Sequence, residues 1–267
     1  MALPPARPGA TCLITGASSG IGAELARGLA ERGHGVTLVA RREDRLRELA
    51  KELESTDVRV EVIAADVADA DARAKMIDTI NRAGLDVEVL INNAGYGSGG
   101  SFAELDAESE VAMVRVNCEA VVALTRHYLP AMIERGRGAV LNVGSTAGEQ
   151  PLPRQATYSA SKAFVNTFSD ALHGEMHGTG VTVTSLRPGP VKTEFGDVAG
   201  ISDELFSAPD FTIKTSEQVA AAAVEGLEKG RRTVAPGVAA KFATVGGRMI
   251  PRTVLVPVLR RQYPVGK

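Results

Sequence analysis

Cysteine is scarce in this 267-residue chain, which contains only Cys12 and Cys118. Two cysteines provide neither a disulfide framework nor a metal-binding spacing, so we expect both to be small buried apolar residues. His173 and His177 lie four positions apart in HGEMH, but this motif lacks the zincin arrangement and no third ligand is apparent. The sequence therefore predicts no metal site.

Long apolar runs are also lacking. No stretch approaches the roughly 18 uncharged apolar residues that a membrane-spanning helix needs, because Arg252, Pro257 and Arg260 interrupt the most apolar run near the end. Residues 1–9, MALPPARPG, contain no apolar run of signal-peptide length, and we expect them to form a flexible tail. From these absences we predict a soluble, cytoplasmic protein without a transmembrane span.

Neither sign of charge dominates the whole chain, whose net charge is -2. Hydrophobic residues make up 44% and charged residues 23%, which is the composition of an ordinary globular protein. This balance argues against a general nucleic-acid binder.

Acidic residues are missing from one part of the chain. Residues 229–267 contain nine Lys or Arg and no Asp or Glu, so a charge of +9 there is set against -11 in the rest. One interpretation is a solvated basic surface or a subunit contact. The others are a cap over a substrate pocket, or a patch that meets anionic lipid or a phosphorylated substrate. The sequence leaves these alternatives open.

Short β-branched runs alternate regularly with longer helical patterns, which is typical of βαβ units around a parallel sheet. The strands are predicted near residues 11–15, 36–40, 58–63, 88–91, 138–143, 181–186 and 232–235. The helices are predicted near residues 20–32, 43–54, 69–83, 107–135, 156–178 and 215–229. We predict one α/β domain over residues 10–236, a doubly wound Rossmann-type parallel sheet of about seven strands, followed by a basic C-terminal extension over residues 237–267.

A glycine-rich turn, TGASSGIG at residues 15–22, closes the first predicted strand and opens the first helix. Glycines at such a turn let the backbone approach a pyrophosphate, whose charge is met by the free N–H groups of the helix. The predicted cofactor-binding residues here are Gly16, Ser18, Ser19, Gly20, Ile21 and Gly22. Two alternatives are a plain glycine turn and the nucleophile elbow of an α/β-hydrolase using Ser18, although no histidine is marked as its base.

Two arginines, Arg41 and Arg42, follow the second predicted strand, where a dinucleotide site contacts the adenosine ribose. An acidic residue there would accept a bond from a free 2'-hydroxyl, whereas arginine pairs with a 2'-phosphate. The sequence therefore predicts NADP(H) as the cofactor. The alternative is that both arginines merely face solvent.

Tyr158 and Lys162 lie four positions apart in a helical pattern, so both side chains project from one face. A lysine ammonium at about 4 Å would favour the phenolate by roughly 4 kcal/mol at an effective dielectric constant of 20. That effect would bring the tyrosine pKa from near 10 toward 7, where general acid/base catalysis works best. Ser145 directly follows the fifth strand and is placed to hydrogen-bond a substrate oxygen.

These motifs together resemble the short-chain dehydrogenase/reductase superfamily. The resemblance covers about residues 10–235 and rests on TGASSGIG, Asp66 after the third strand, NNAG at residues 92–95, Asn117, Ser145, YSASK at residues 158–162 and PGPVKT at residues 188–193. It implies that Asn117, Ser145, Tyr158 and Lys162 are catalytic, with Asn117 holding a water that links Lys162 to solvent. Members are commonly dimers or tetramers, so the resemblance also implies a homo-oligomer.

The resemblance implies further cofactor contacts. Asp66 and the backbone of Val67 would hold the adenine, Asn92 would support the fourth strand beside the cofactor, and Lys162 would bind the nicotinamide ribose. The cofactor-binding set also includes Tyr158, Asn93, Ala94, Gly95, Pro188, Gly189, Val191 and Thr193, with Thr193 bonding the carboxamide.

The expected reaction is a hydride transfer between the nicotinamide and the carbonyl or secondary alcohol of a small molecule. The loop after Thr193 is rich in apolar residues and is expected to close over an apolar substrate or to pack in the core. Its apolar residues are Phe195, Val198, Ile201, Leu205, Phe206, Phe211 and Ile213. A catalytically silent dinucleotide-sensing protein remains an alternative to the enzyme.

Overall fold

The computed structural model describes residues 3–192, 194 and 213–262. Nine strands and nine α-helices, numbered in chain order, lie among these residues. The strands are β1 Ala10–Thr15, β2 Val36–Ala40, β3 Val60–Ala64, β4 Asp86–Asn92, β5 Gly138–Val143, β6 Val181–Leu186, β7 Val191–Lys192, β8 Lys214–Thr215 and β9 Thr233–Val234. The helices are α1 Gly20–Ala30, α2 Glu43–Leu53, α3 Ala70–Arg82, α4 Ala107–Val114, α5 Ala120–Glu134, α6 Ala156–Glu175, α7 Ser216–Glu228, α8 Val238–Met249 and α9 Arg252–Gln262.

Seven strands form one parallel sheet in the order β3-β2-β1-β4-β5-β6-β9. The chain reverses direction across the sheet between β1 and β4, which is the switch point where doubly wound folds bind ligands. Two buried apolar clusters are built on the sheet, one including α1, α2 and α7 and the other including α3 and α5. The predicted doubly wound fold and its seven strands are confirmed.

One predicted helix is interrupted. Residues 107–135 form α4, then a π-helical segment over Arg115–Glu119, then α5. A π-helical turn holds one residue more than an α-helical turn, and such bulges are common at functional sites. The prediction of a helix near residues 107–135 is confirmed, but the sequence pattern did not predict the π-helical turn within it, which holds the buried Asn117.

The basic C-terminal extension contains two helices that the sequence pattern did not predict. In α8 the adjacent Gly246 and Gly247 weaken the helical propensity, and in α9 Pro257 interrupts the pattern. Leu255 and Leu259 of α9 nevertheless anchor it, because both are buried in one cluster with Tyr158. Within the ranges described above, no helix is both long and apolar enough to cross a bilayer.

Candidate active site

A cleft of about 830 Å³ opens at the carboxyl ends of the strands. It is lined by the glycine turn, both arginines, Asp66 and Val67, residues 93–95, the predicted catalytic residues Ser145, Tyr158 and Lys162, and Pro188, Gly189 and Val191. Gly22 and Asn117 lie behind its wall. Thr193 and the apolar loop residues from Phe195 to Phe211 lie outside the described residues. The fold thus brings most of the predicted site together.

The glycine turn leaves the start of α1 open. Gly16 and Gly20 adopt positive φ angles of 66° and 55°, which glycine adopts without strain. Ser19 is the N-cap of α1 but makes no side-chain capping bond, and the first turn holds no acidic residue. By contrast, Asp69 and Asp106 cap α3 and α4 through their carboxylates. The N–H groups of α1 are therefore available to an anionic group in the cleft.

Arg42 is the centre of a polar cluster beside this turn. Its Nη2 donates to Ser19 Oγ over 2.8 Å and to Ser18 Oγ over 3.1 Å. Its Nη1 donates to Glu194 Oε2 over 3.0 Å, and this ion pair lowers the pKa of the Glu194 carboxyl. Sequence analysis missed Glu194, because 152 residues separate it from Arg42. Arg41 lines the same cleft.

The catalytic end of the cleft is buried. Ser145 is the N-cap of a 3-10 turn over Thr146–Glu149, where its Oγ accepts from the amide of Ala147 over 3.0 Å. The hydroxyls of Ser145 and Tyr158 are hydrogen-bonded to each other. Lys162 Nζ donates to the carbonyl oxygen of Val143 over 2.8 Å and lies 5.9 Å from the centroid of the Tyr158 ring.

The protonation of this pair differs from the sequence-based prediction. Burial raises the pKa of Tyr158 to about 12, and its hydrogen bond to Ser145 only partly opposes that shift. Burial also lowers the pKa of Lys162 to about 8. The predicted fall of the tyrosine pKa toward 7 is wrong for this structure, because desolvation penalises both charged forms and Lys162 is directed to the Val143 carbonyl.

The family relationship of the chain is carried by residues 10–202, which match the short chain dehydrogenase family. The chain belongs to this family. It is 42% identical over 216 residues to sulfoacetaldehyde reductase 2 of Chromohalobacter salexigens, covering 78% of this chain and 84% of the relative. It is 38% identical over 194 residues to an NADP-dependent 3-hydroxy acid dehydrogenase of Salmonella typhi, covering 72% and 77%.

A solved structure adds to this comparison. A short-chain dehydrogenase from Sphingobium yanoikuyae in complex with NADPH matches with a TM-score of 0.79 and 33% identity, covering 89% of this chain and 92% of that one. The family resemblance inferred from the motifs is confirmed. Membership in an oxidoreductase family makes the α/β-hydrolase alternative wrong, and Ser18 is a hydrogen-bond partner of Arg42 instead.

In this short-chain dehydrogenase, the π-helical segment contains Asn117, which lies close to Lys162. Asn117 Nδ2 donates to the carbonyl oxygen of Tyr96 over 3.0 Å and to Ser161 Oγ over 2.9 Å. A Cβ built on Gly95 would lie 2.7 Å from Asn117 Oδ1 and 3.3 Å from Lys162 Nζ. Gly95 therefore lets Asn117 and Lys162 approach the same point.

Asn92 lies in a buried polar ladder that crosses β4 and β5. Its Nδ2 donates to Thr125 Oγ1 over 3.0 Å and to Asn142 Oδ1 over 2.8 Å. Asn142 Nδ2 in turn donates to Ser169 Oγ on α6 over 3.0 Å. This ladder ties the strand that leads to residues 93–95 to the helix that carries Tyr158.

Sequence analysis did not predict a buried ion cluster that lies next to the turn after Ser145. Arg187, only 1% exposed, donates to Glu149 Oε1 over 2.9 Å and to Asp170 Oδ1 over 2.7 Å. Asn166 Nδ2 also donates to Glu149 Oε1, over 3.0 Å. The cluster joins the turn after Ser145, the segment before Pro188, and α6. An arginine at the end of a buried strand was the available sequence signal.

Helix α8 forms part of the cleft wall. Ala239, Ala240 and Ala243 line the cleft, and Gly247 packs so closely on the 3-10 turn that a Cβ there would lie 2.7 Å from the Glu149 carbonyl oxygen. On α9, Arg252 Nη1 donates to the same oxygen over 3.2 Å. The C-terminal extension therefore contacts the turn that follows Ser145.

Proposed function

We propose that this short-chain dehydrogenase is an NADP(H)-dependent oxidoreductase that transfers a hydride between the nicotinamide and the carbonyl or secondary alcohol of an apolar small molecule. The observation that carries this proposal is the hydrogen-bonded Ser145 and Tyr158 pair, with Lys162 beside it, in the same cleft as the glycine turn. A dinucleotide at the turn and a carbonyl at the hydroxyl pair would meet inside one 830 Å³ space.

The residues present fit NADP(H). The uncapped start of α1 offers N–H groups to a pyrophosphate. Glycine at position 16 lets this turn pack against the end of β4, since a Cβ there would lie 2.8 Å from Ala94 Cα. Arg41 and Arg42 supply guanidinium groups for the 2'-phosphate. The Salmonella typhi relative is named as NADP-dependent, and the Sphingobium yanoikuyae structure is a complex with NADPH. Both support the same cofactor here.

The chain's own residues would orient the substrate and move the proton. The bound cofactor would supply or accept the hydride. With a pKa of about 12, Tyr158 is protonated at neutral pH and can donate its proton to a carbonyl oxygen. Ser145 would hydrogen-bond the same oxygen, and Lys162 would hold the nicotinamide ribose. Asn117, beside Lys162, would position a water that carries protons to solvent.

The substrate end of the cleft favours an apolar molecule. Ala147, Leu152, Ala239, Ala240 and Ala243 contribute to the lining near Tyr158. Small apolar side chains leave room for a hydrocarbon skeleton and offer no charged partner. Two relatives are named for sulfoacetaldehyde and for 3-hydroxy acids, so short anionic carbonyls are the natural competitors.

The C-terminal extension forms the cap of this substrate end in our proposal. Leu255 and Leu259 of α9 share a buried cluster with Tyr158, while the glycine turn lies at the far end of the cleft. Leu255→Ala and Leu259→Ala should therefore raise KM for the carbonyl compound and leave KM for NADPH within about twofold. Equal effects on both constants would contradict a cap confined to the substrate end.

A substrate panel tests the proposed function. The enzyme is mixed with NADPH and a series of bulky apolar ketones, short apolar ketones and short anionic carbonyls, and loss of the reduced nicotinamide absorbance is followed. We expect the highest kcat/KM for bulky apolar ketones. A preference for anionic carbonyls would contradict the substrate class, and NADPH binding without turnover of any compound would favour the silent dinucleotide sensor.

A further inference from the structure

The outer face of α8 is apolar and exposed. Val238, Phe242, Val245 and Met249 are 68%, 75%, 56% and 76% exposed. Their spacing of four, three and four residues places them on one side of a helix. The opposite side carries Ala240, Ala243 and Gly247, which face the cleft and the 3-10 turn. Helix α8 therefore separates the cleft from an exposed apolar stripe.

The exposure of four large apolar side chains on one helix face requires a physical explanation. Single exposed apolar residues are ordinary, whereas a row of four large ones along one helix is typical of a surface that meets another apolar phase. Helix α9 adds exposed apolar side chains to the same part of the chain, namely Val254, Val256 and Val258, which are 42% to 56% exposed.

The charged residues of the C-terminal extension, which carries the stripe, are all of one sign. Residues 229–267 carry nine Lys or Arg and no Asp or Glu. Lys241, next to Phe242, and Arg252, Arg260 and Arg261 of α9 are exposed. Among the ion pairs of the described residues, none involves these four cations. Exposed apolar side chains and exposed cations together match an anionic lipid surface.

A second copy of the chain fits this surface less well. A two-fold contact through α8 would bring Lys241 and the α9 arginines of both copies together, and no acidic residue in the segment would compensate them. We propose that the exposed stripe of α8 docks the enzyme on an anionic lipid bilayer. Apolar side chains enter the acyl boundary while the flanking cations contact lipid phosphates.

Docking would also serve the cleft. The same helix that meets the bilayer lines the substrate end through Ala239, Ala240 and Ala243. An apolar carbonyl compound dissolved in the bilayer would then reach the cleft beside α8. This consequence rests on the proposed function, whereas the docking itself depends on neither substrate nor cofactor.

Vesicle co-sedimentation tests the docking with the full-length protein. Vesicles of phosphatidylglycerol and phosphatidylcholine are compared with vesicles of phosphatidylcholine alone, at low and high salt. We expect the protein to sediment with the anionic vesicles at low salt and to stay in the supernatant with vesicles of phosphatidylcholine alone. High salt should release the protein from the anionic vesicles, because it screens the attraction between the cations and the lipid phosphates. Failure to sediment with anionic vesicles at low salt would overturn the proposal.

A matched pair of variants locates the surface. Phe242→Glu should lower the partition coefficient for anionic vesicles by about tenfold or more, because a negative charge replaces an aromatic ring that inserts into the bilayer. Phe102→Glu is the control, since Phe102 is also exposed, at 64%, but lies outside the extension. It should change partitioning less than about fivefold, because even a charge close to an anionic surface contributes only about 1 kcal/mol. Equal effects of the two variants would contradict docking through α8.

A second stripe variant and a size measurement complete the test. Met249→Glu should reproduce the loss seen with Phe242→Glu, and thermal melting of both variants should match the parent because the side chains are exposed. Sedimentation velocity without lipid is measured in parallel. An oligomer that Phe242→Glu and Met249→Glu dissociate would identify the stripe as an interface between copies and overturn the lipid proposal.

Discussion

The two ends of the cleft hold their charged groups in opposite ways. At the nucleotide end, Arg42 and Glu194 are each nearly half exposed, at 44% and 45% of their side-chain surface. At the catalytic end, Lys162, Arg187 and Glu149 are all at least 95% buried. Exposed pairs are screened and exchange partners at little cost, whereas buried charges must be fully compensated. The nucleotide end is therefore suited to exchanging an anion, and the catalytic end to fixed geometry.

The largest expected effect concerns the chemical step. Tyr158→Phe removes the only proton-donating group of that side chain and should lower kcat by about 10²- to 10⁴-fold. Because the ring stays in place, NADPH affinity measured by fluorescence titration should change less than about threefold. A variant that turns over substrate within about tenfold of the parent would exclude general acid catalysis by Tyr158.

The next largest effect is expected on the free energy of unfolding, when the buried ion cluster of Arg187 is broken. Arg187→Met leaves Glu149 and Asp170 without the cation between them and should lower the free energy of unfolding by about 3 to 5 kcal/mol. The matched control is Arg47→Met, which breaks the exposed pair of Arg47 with Glu43. It should cost no more than about 0.5 kcal/mol. Urea unfolding of both variants measures the contrast, and similar losses would show that burial does not distinguish the two pairs.

The third effect is a pH dependence of stability. The pKa of Lys162 is about 8 in the folded protein, against an ordinary value of 10.5. Between these values the unfolded chain binds more protons than the folded one, so stability rises with pH from about 8 toward 10.5. The full contribution is about 3 kcal/mol. Tyr158 acts with the opposite sign only above pH 10, since burial raises its pKa from 10 to about 12.

Urea unfolding between about pH 8 and pH 9.5 checks this sign. In the parent, the free energy of unfolding should rise with pH in this range, and Lys162→Met should not show that rise. Lys75→Met, at an exposed lysine on α3, is the control and should keep it. If the free energy of unfolding changed with pH equally in the parent and in Lys162→Met, burial would not lower the pKa of Lys162 in the folded protein.

The smallest expected effect lies at the exposed nucleotide end. Glu194→Gln removes the carboxylate that pairs with Arg42 and should tighten NADPH binding by about 1.5- to 5-fold, the usual worth of an exposed ion pair. NADH binding should change little, and the gain should shrink as salt rises. Weaker NADPH binding in this variant would mean that Glu194 supports the site rather than competing for Arg42.

Much of the fold and of the site could be predicted because their signals are local. The strands β1 to β6 are apolar runs in the sequence, and most predicted site segments come directly after a strand. A parallel sheet therefore gathers Gly16, Arg42, Asp66, Asn93 and Ser145 at one edge. Spacing within a helix likewise placed Tyr158 and Lys162 on one face.

The missed features depend on contacts between distant residues. The Arg187 cluster joins residues 38 positions apart, and the Arg42 pair with Glu194 spans 152, so no spacing rule could find either. The tyrosine pKa was predicted in the wrong direction, because the desolvation that governs it comes from burial that includes Leu255 and Leu259 of the C-terminal extension. Pairwise charge arguments omit that term.

The central claim, that this cleft selects NADP(H) for hydride transfer, is tested most directly by kcat/KM for NADPH and NADH with the same ketone. Each charge-assisted bond to the 2'-phosphate contributes roughly 1.5 to 3 kcal/mol, so the parent should prefer NADPH by at least about tenfold. The Arg41→Ala, Arg42→Ala double variant should lose about 10- to 150-fold with NADPH and little with NADH. Equal or better use of NADH by the parent, or unchanged NADPH kinetics in the double variant, would contradict the account.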